Sequence, residues 1–196
     1  MSSYPQLKQF MTLLHQFHTI DRVAQVPTLE RKTNAVEHSY QLAMLAWYVV
    51  SAYKLNLNYE KVFKYALAHD IVEAYAGDTF IYDEEAKKTK LAREAAALVQ
   101  IETHFPEFPE LASVTAQYDT KEDAESRFVY ALDKFIDPLN SVMTKEKMSV
   151  WKEYGMTYED HFAYKDSKIA LSPEVVPLWE ALSKELTDNK DFFFPA

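Results

Sequence analysis

The chain has no cysteine, which excludes disulfides and thiolate chemistry. Glycine is nearly absent: Gly77 and Gly155 are the only two in 196 residues. So little glycine, beside several long segments of helical periodicity, argues for an all-α fold. No apolar run approaches the roughly 20 residues of a membrane-spanning helix. The first ten residues, MSSYPQLKQF, carry neither the basic start nor the apolar stretch of a secretion signal. Together these features read as a soluble, cytoplasmic protein with no membrane partner. Positive charge is also in short supply, with 21 Lys and Arg against 30 Asp and Glu and a formal charge of −9. A field of that sign repels nucleic-acid polymers. It leaves room for a single nucleotide held by a metal ion and a few local cations. There is no basic stripe, internal repeat or low-complexity tract.

The length suits one domain, 1–196, with a full hydrophobic core. The periodic segments predict about six to eight helices. The first runs from Pro5 to about Ile20, with Leu7, Phe10, Met11, Leu14 and Phe17 at helical spacing. A linking segment through Val26-Pro27 follows and carries Arg22, Arg31 and Lys32, a local positive patch. Asn34 with Glu37 three residues on forms a capping box that opens the next helix and puts His38 in its first turn. Leu42, Leu45 and Val49 continue the His38 stripe. A third helix is predicted from about Tyr59 to Ala76, closed by Gly77 as a left-handed cap that presents Asp78 beside the helix end. Asp83 to Thr103 reads as helix, ended by His104-Phe-Pro-Glu-Phe-Pro. A helix from about Glu122 to Thr144 carries Asp133 and Asp137 one turn apart and a kink at Pro138. Tyr158 to about Lys165 and Pro177 to about Leu186 read as short closing helices. The apolar end, DFFFPA, is suited to packing on the domain or on a partner chain.

The chemistry-bearing pattern is H…HD…D: His38, the adjacent pair His69-Asp70, and Asp133. Two imidazoles and two carboxylates can hold one divalent ion and leave coordination positions for water and substrate. Neighbouring helical residues differ by about 100° in direction, so His69 and Asp70 can both reach an ion beside their helix. His38 and Asp133 come from other helices, so the site ties three helices together. Mixed nitrogen and oxygen donors suit Mn, Fe, Co, Ni or Zn rather than Ca. An ion of this kind activates water for hydrolysis. The leaving oxygen then needs a proton. Glu73, one turn past His69 and Asp70, and Asp78, just past Gly77, are the candidate acids. We assign Glu73 to the attacking water and Asp78 to the leaving group. Lys134, Arg22 and Arg31 are the candidate substrate-binding cations. Asp137 reads as structural, and His15, His18, His104 and His161 as ordinary helix or surface residues.

At the level of motifs the chain resembles the HD-domain phosphohydrolases, and within them the bacterial 5′-deoxynucleotidase-like branch. The resemblance covers roughly residues 5 to 145. It rests on Asn34-Ala-Val-Glu37-His38-Ser39, on His69-Asp70-Ile-Val-Glu73-Ala-Tyr-Ala-Gly77-Asp78, and on Ala131-Leu-Asp133-Lys134. A lone HD dipeptide is weak; these three segments in this order are specific. The resemblance implies an HD-domain helical bundle with metal ligands at His38, His69, Asp70 and Asp133 and a catalytic acidic pair at Glu73 and Asp78. It implies a nucleoside 5′-monophosphate, often the deoxy form, cleaved to nucleoside and phosphate, and a homodimer. Members of the branch carry Arg-Trp ahead of the first ligand; here Arg22 is followed by Val23, and Trp47, Trp151 and Trp179 lie elsewhere. Between the HD pair and Asp133 only His104 occurs, which favours one metal ion over two. Ala74 follows Glu73 where alarmone hydrolases have an acid. The alternatives are a phosphodiesterase or hydrolase of another small phosphate ester, and an inactive metal- or nucleotide-binding protein.

Overall fold

The computed structural model describes residues 3–25, 31–79, 84–143 and 150–195. Among them the elements run α1 (Tyr4–His18), β1 (Asp21–Gln25), β2 (Lys32–Asn34), α2 (Ala35–Ala52), α3 (Tyr59–Ala68), α4 (Glu73–Ala76), α5 (Glu84–His104), α6 (Pro109–Thr120), α7 (Ala124–Met143), α8 (Val150–Glu153), α9 (Tyr158–Ile169) and α10 (Val176–Thr187). Eight of the described helices have ten or more residues, and the two short strands form one antiparallel ladder with Asp21 opposite Asn34. The fold is the all-α bundle that the periodicity predicts. No described helix is long and apolar enough to cross a membrane. The expected link through Val26-Pro27 and the outer ends at Asp83 and Thr144 lie outside the described residues.

Local chemistry sets the elements that carry the site. Asn34 Oδ1 accepts from the Glu37 N–H at 3.0 Å, and Glu37 accepts from the Asn34 N–H at 3.2 Å, so the capping box closes both ways. It starts α2 where the sequence predicts and seats His38 on the buried side of the first turn. The predicted single helix from Tyr59 to Ala76 is corrected by the structure. Regular α-helix stops at Ala68, and from residue 69 the chain tightens into i→i+3 bonds, Ile71 to Ala68 at 3.1 Å and Glu73 to Asp70 at 2.9 Å, before α4. His69 itself keeps the α-helical bond to the Tyr65 carbonyl at 2.9 Å, so it continues the α3 spiral; the 3₁₀-type turn that follows changes the direction in which the later side chains, Glu73 among them, project. Gly77 has positive φ, as expected, but at φ 74°, ψ 152° it is not left-handed helical. This region is open to glycine alone, and it sends the chain out extended towards Asp78.

The structure also adds a helix. The His104–Pro109 break does end α5, but Pro109 then occupies the first turn of α6, where its missing N–H costs nothing. In α7, Pro138 is accommodated inside the helix. The C-terminal segment packs on its own chain: Phe193 is buried and stacks on Trp151 at 4.8 Å.

Two hydrophobic cores result. One joins α2, α3, α7, α9 and α10 around Leu42, Tyr65, Phe128, Leu132 and Leu186. The other joins α1, α5 and α6 around Leu13, Phe17, Ile101 and Phe105. Tyr65 and Ala66 belong to the first, and Ala68, Ile71 and Val72 to the second. The turn holding His69 and Asp70 therefore sits at the seam between the cores.

Candidate metal centre

At that seam α2 brings His38, the turn after α3 brings His69, and α7 brings Asp133. All three are buried, and one ligand atom from each lies within 4.8 Å of the others. His38 Nε2 is 2.9 Å from Asp133 Oδ1, and His69 Nε2 is 3.8 Å from the same oxygen. Asp133 Oδ2 is turned away to Lys134 Nζ. The carboxylate is thus divided, one oxygen to the lysine and one to the imidazoles. Asp70, the fourth predicted ligand, has Oδ2 2.9 Å from His69 Nε2 and 2.9 Å from Arg22 Nη1. It stands beside the trio, held by the arginine, rather than inside the 4.8 Å group.

The orientation of His69 tests the fit of a cation. Its Nδ1 lies 3.0 Å from the Ala66 carbonyl, so the proton sits there and is donated. Such a bond fixes the tautomer and turns the Nε2 lone pair inward, as metal-ligating histidines require. Nε2 is buried, faces two carboxylate oxygens, and has no hydrogen-bond partner. A proton on it would have no acceptor in line, whereas a cation at the centre answers all the lone pairs together. The residues present fit a divalent ion.

The electrostatics agree. Burial pushes His38 towards its neutral form, and the Arg22 charge adds to this. Burial also opposes a charge on His69, but Asp70 and Asp133 outweigh it and raise its pKa. The same two carboxylates are held below the usual range. Burial works against them, and Lys134 and His38 overcome it at Asp133, as His69 and Arg22 do at Asp70. The cluster draws positive charge to its centre.

Glu73 and Asp78 lie on the flank. Glu73 is buried, with Oε2 unpartnered. Burial, with the charges of Asp70 and Asp78, raises it well above an ordinary glutamate. Burial likewise raises Asp78. Arg22 spans two acids, with Nη2 3.6 Å from Asp137 Oδ2 as well as the bond to Asp70. Burial disfavours its charge, but Asp137 and Asp70 more than restore it. Asp137, read as structural, is therefore part of the device that holds Asp70. Arg31 is engaged elsewhere: its two terminal nitrogens grip Glu37 at 2.9 and 2.5 Å. Tyr118 was missed because α6 was not read as a helix. Its ring lies edge-on to His69 at 5.8 Å. The signal was Pro109 followed by Leu111, Thr115 and Tyr118 at spacings of four and three. His161, read as ordinary, is fully buried among Trp151, Phe162 and Phe193 with neither ring nitrogen partnered.

The HD domain family profile matches residues 14–176, enclosing the whole cluster. The chain belongs to the HD-domain family. Over 131 residues this HD-domain chain is 31% identical to the human 5′-deoxynucleotidase HDDC2, a match covering 65% of this chain and 63% of that protein. The match therefore spans less than two thirds of the human relative. A longer alignment, 180 residues at 25% identity, covers 90% of this chain and 86% of the Danio rerio 5′-deoxynucleotidase HDDC2. Among solved structures, a predicted metal-dependent phosphohydrolase from Magnetospirillum magnetotacticum MS-1 superposes with a TM-score of 0.81 at 27% identity, covering 100% of both chains. A conserved hypothetical protein from Pyrococcus furiosus shares the fold, with a TM-score of 0.60 at 19% identity over 92% of this chain and 99% of that one.

Proposed function

We propose that this chain is a metal-dependent phosphohydrolase that cleaves (deoxy)nucleoside 5′-monophosphates to nucleoside and phosphate. The observation that carries the reading is the inward, unpartnered Nε2 of His69 facing Asp133 beside His38. The names of the human and Danio rerio relatives support the substrate class. His38, His69, Asp70 and Asp133 would hold the ion, and their mixed donors suit Mn, Fe, Co, Ni or Zn. A divalent ion bound there supplies Lewis acidity to a phosphoryl oxygen and lowers the pKa of water.

The remaining roles belong to the chain. Glu73, kept protonatable by burial beside like charges, holds or moves a proton at the attacking water. Asp78 follows Gly77 directly, beside the end of α4, and serves the leaving oxygen. Arg22 fixes Asp70 through one nitrogen and leaves a buried Nε for the phosphate. Lys134 adds positive charge beside Asp133. Arg31 acts one step removed: by gripping Glu37 it holds the first turn of α2, in which His38 is the next residue. The reading includes a homodimer joined through the outer face of α2. That helix has one formal charge in 18 residues, Glu37, and leaves Tyr40, Met44, Trp47 and Tyr48 exposed. Sedimentation at micromolar concentration tests it, and a monomer throughout removes this part.

The deciding experiment adds Mn, Co, Ni, Fe and Zn separately to metal-free protein and measures phosphate release across 5′-mononucleotides, dinucleotides and sugar phosphates. Release from mononucleotides with at least one metal is expected. Turnover only of dinucleotides or sugar phosphates would move the assignment to another phosphate ester. Metal retention with no turnover would make the chain a binding protein.

A further inference from the structure

We propose that Lys121, with Lys134 and the rings of Tyr118 and Tyr130, forms a cationic wall that captures the anionic part of the substrate. The proposal rests on the nucleotidase reading and names the group that gives it affinity. A closed circuit of contacts defines the wall. His69 meets Tyr118 at 5.8 Å; Lys121 Nζ lies 5.5 Å from the Tyr118 ring and 4.7 Å from the Tyr130 ring; Lys134 Nζ lies 5.1 Å from Tyr130. Lys134 then returns to Asp133 and so to the histidines. Two ammonium groups thus share one aromatic ring beside the metal cluster.

Lys121 differs from Lys134 in its partners. Asp133 neutralises Lys134. Lys121 donates to the Asp119 carbonyl at 2.9 Å and otherwise meets only the two rings; among the described residues no carboxylate forms an ion pair with it. Its charge is therefore held by aromatic faces and a carbonyl alone. Lys121 closes α6 at φ 54°, ψ 31°, the left-handed conformation in which helices commonly end, and its ammonium rests over the two rings. Lys90 and Lys121 both feel the charge of Lys134, with Glu94, Asp119 and Asp133 among them; Glu94 pairs with Lys90 and Asp133 with Lys134, which leaves Lys121 as the ammonium of the three with no carboxylate in ion-pair contact among the described residues. A phosphate ester at the cluster meets its uncommitted cation there. Lys121 reaches the cluster through Tyr118 on one side and through Tyr130 and Lys134 on the other, without touching a metal-ligating side chain, so it serves binding of the anion and its loss falls on KM.

The test compares manganese-loaded wild type with Lys121→Met, Lys121→Gly and Lys121→Arg in phosphate release from 5′-mononucleotides at low and high salt. Met and Gly are expected to raise KM about tenfold, the scale of one lost charge-assisted contact. They should change kcat little and flatten the salt dependence of KM, while Arg restores both. Gly relieves the left-handed strain, so a raised KM in it cannot come from instability. An unchanged KM at low salt, or a loss confined to kcat, overturns the proposal and leaves the nucleotidase reading standing. If wild type releases no phosphate from any nucleotide, that reading fails by itself. Calorimetric binding of inorganic phosphate then decides: weaker binding by Met and Gly than by wild type and Arg supports the wall, and equal binding overturns it.

Discussion

Lys165 donates from Nζ to the carbonyl of Lys134 at 2.7 Å, and Lys134 lies four residues before Pro138. Proline has no N–H, so Pro138 deprives that interior carbonyl of its helical partner. A side chain from α9 thus completes a backbone bond that the sequence of α7 cannot make. Replacing Lys165 with Met should destabilise the fold by about 1–3 kcal/mol, the cost of a buried unsatisfied acceptor. In a Pro138→Ala background, where the helix supplies its own N–H, the cost should shrink. A urea-denaturation cycle over the four proteins measures the difference, and equal costs in both backgrounds would refute the relationship.

Lys165 also makes stability depend on pH. Burial depresses its pKa to about 8 from 10.5. Below pH 8 the ammonium is charged in both folded and unfolded chains, and the folded chain bears the burial penalty in full. Between 8 and 10.5 the unfolded chain binds more protons, so this group's contribution to stability rises with pH. The stability gap between Lys165→Met and wild type should widen over that interval in favour of wild type. Denaturation at pH 7.5 and 9.5 checks it.

Glu37 gives the opposite dependence. Its bond to Arg31, with help from the Asn34 N–H, holds its pKa near 2, against 4.5. A depressed carboxylate stabilises fully above pH 4.5 and loses that contribution as pH falls towards 2. Glu37→Gln should melt earlier than wild type at pH 6 and converge with it near pH 2. A gap that persists at pH 2 would assign the effect to packing. Asn34→Ala, which removes the partner cap, should cost about 1 kcal/mol by denaturation at any pH in this range.

Metal removal should be visible without any substrate. A ligand present at a hundredfold its dissociation constant stabilises by about 2.7 kcal/mol, and about 2–4 °C accompanies each kcal/mol at this chain length. Chelation should therefore lower the melting temperature by roughly 5–10 °C, and manganese should restore it. His69→Ala should melt at the same temperature with or without manganese. A manganese-dependent rise in that variant would place the ion elsewhere.

Glu73→Gln separates metal holding from proton handling. It should retain manganese by elemental analysis and lose about 10²–10⁴-fold in kcat, the usual weight of general acid–base catalysis. Loss of metal together with rate would give Glu73 a structural role instead.

Much of the site was legible because it is carried by short local rules. Asn34 and Glu37 three apart announce a helix start, and His38 follows by position. Gly77 announces a positive φ, though not its extended ψ, which the downstream path selects. The interruption after Ala68 was not legible. Residues 69–76 keep helical composition and spacing, and the tightening reflects packing on two cores. The Arg22–Asp137 link was not legible either, because 115 positions of chain separate the partners and nothing local marks an ion pair. Burial of His161 was hidden for the same reason: its aromatic neighbours Trp151, Trp179 and Phe193 surround it only after the tail folds back.

The seam at residues 69–72 has a last consequence. Two packed halves of the bundle meet there, and the side chains that face across it are those poised to grip one ion. Such an ion would be a rivet between the halves as well as a reagent. Amide exchange should slow on α5 and α7 together when it binds, although α7 lends it a single side chain and α5 none.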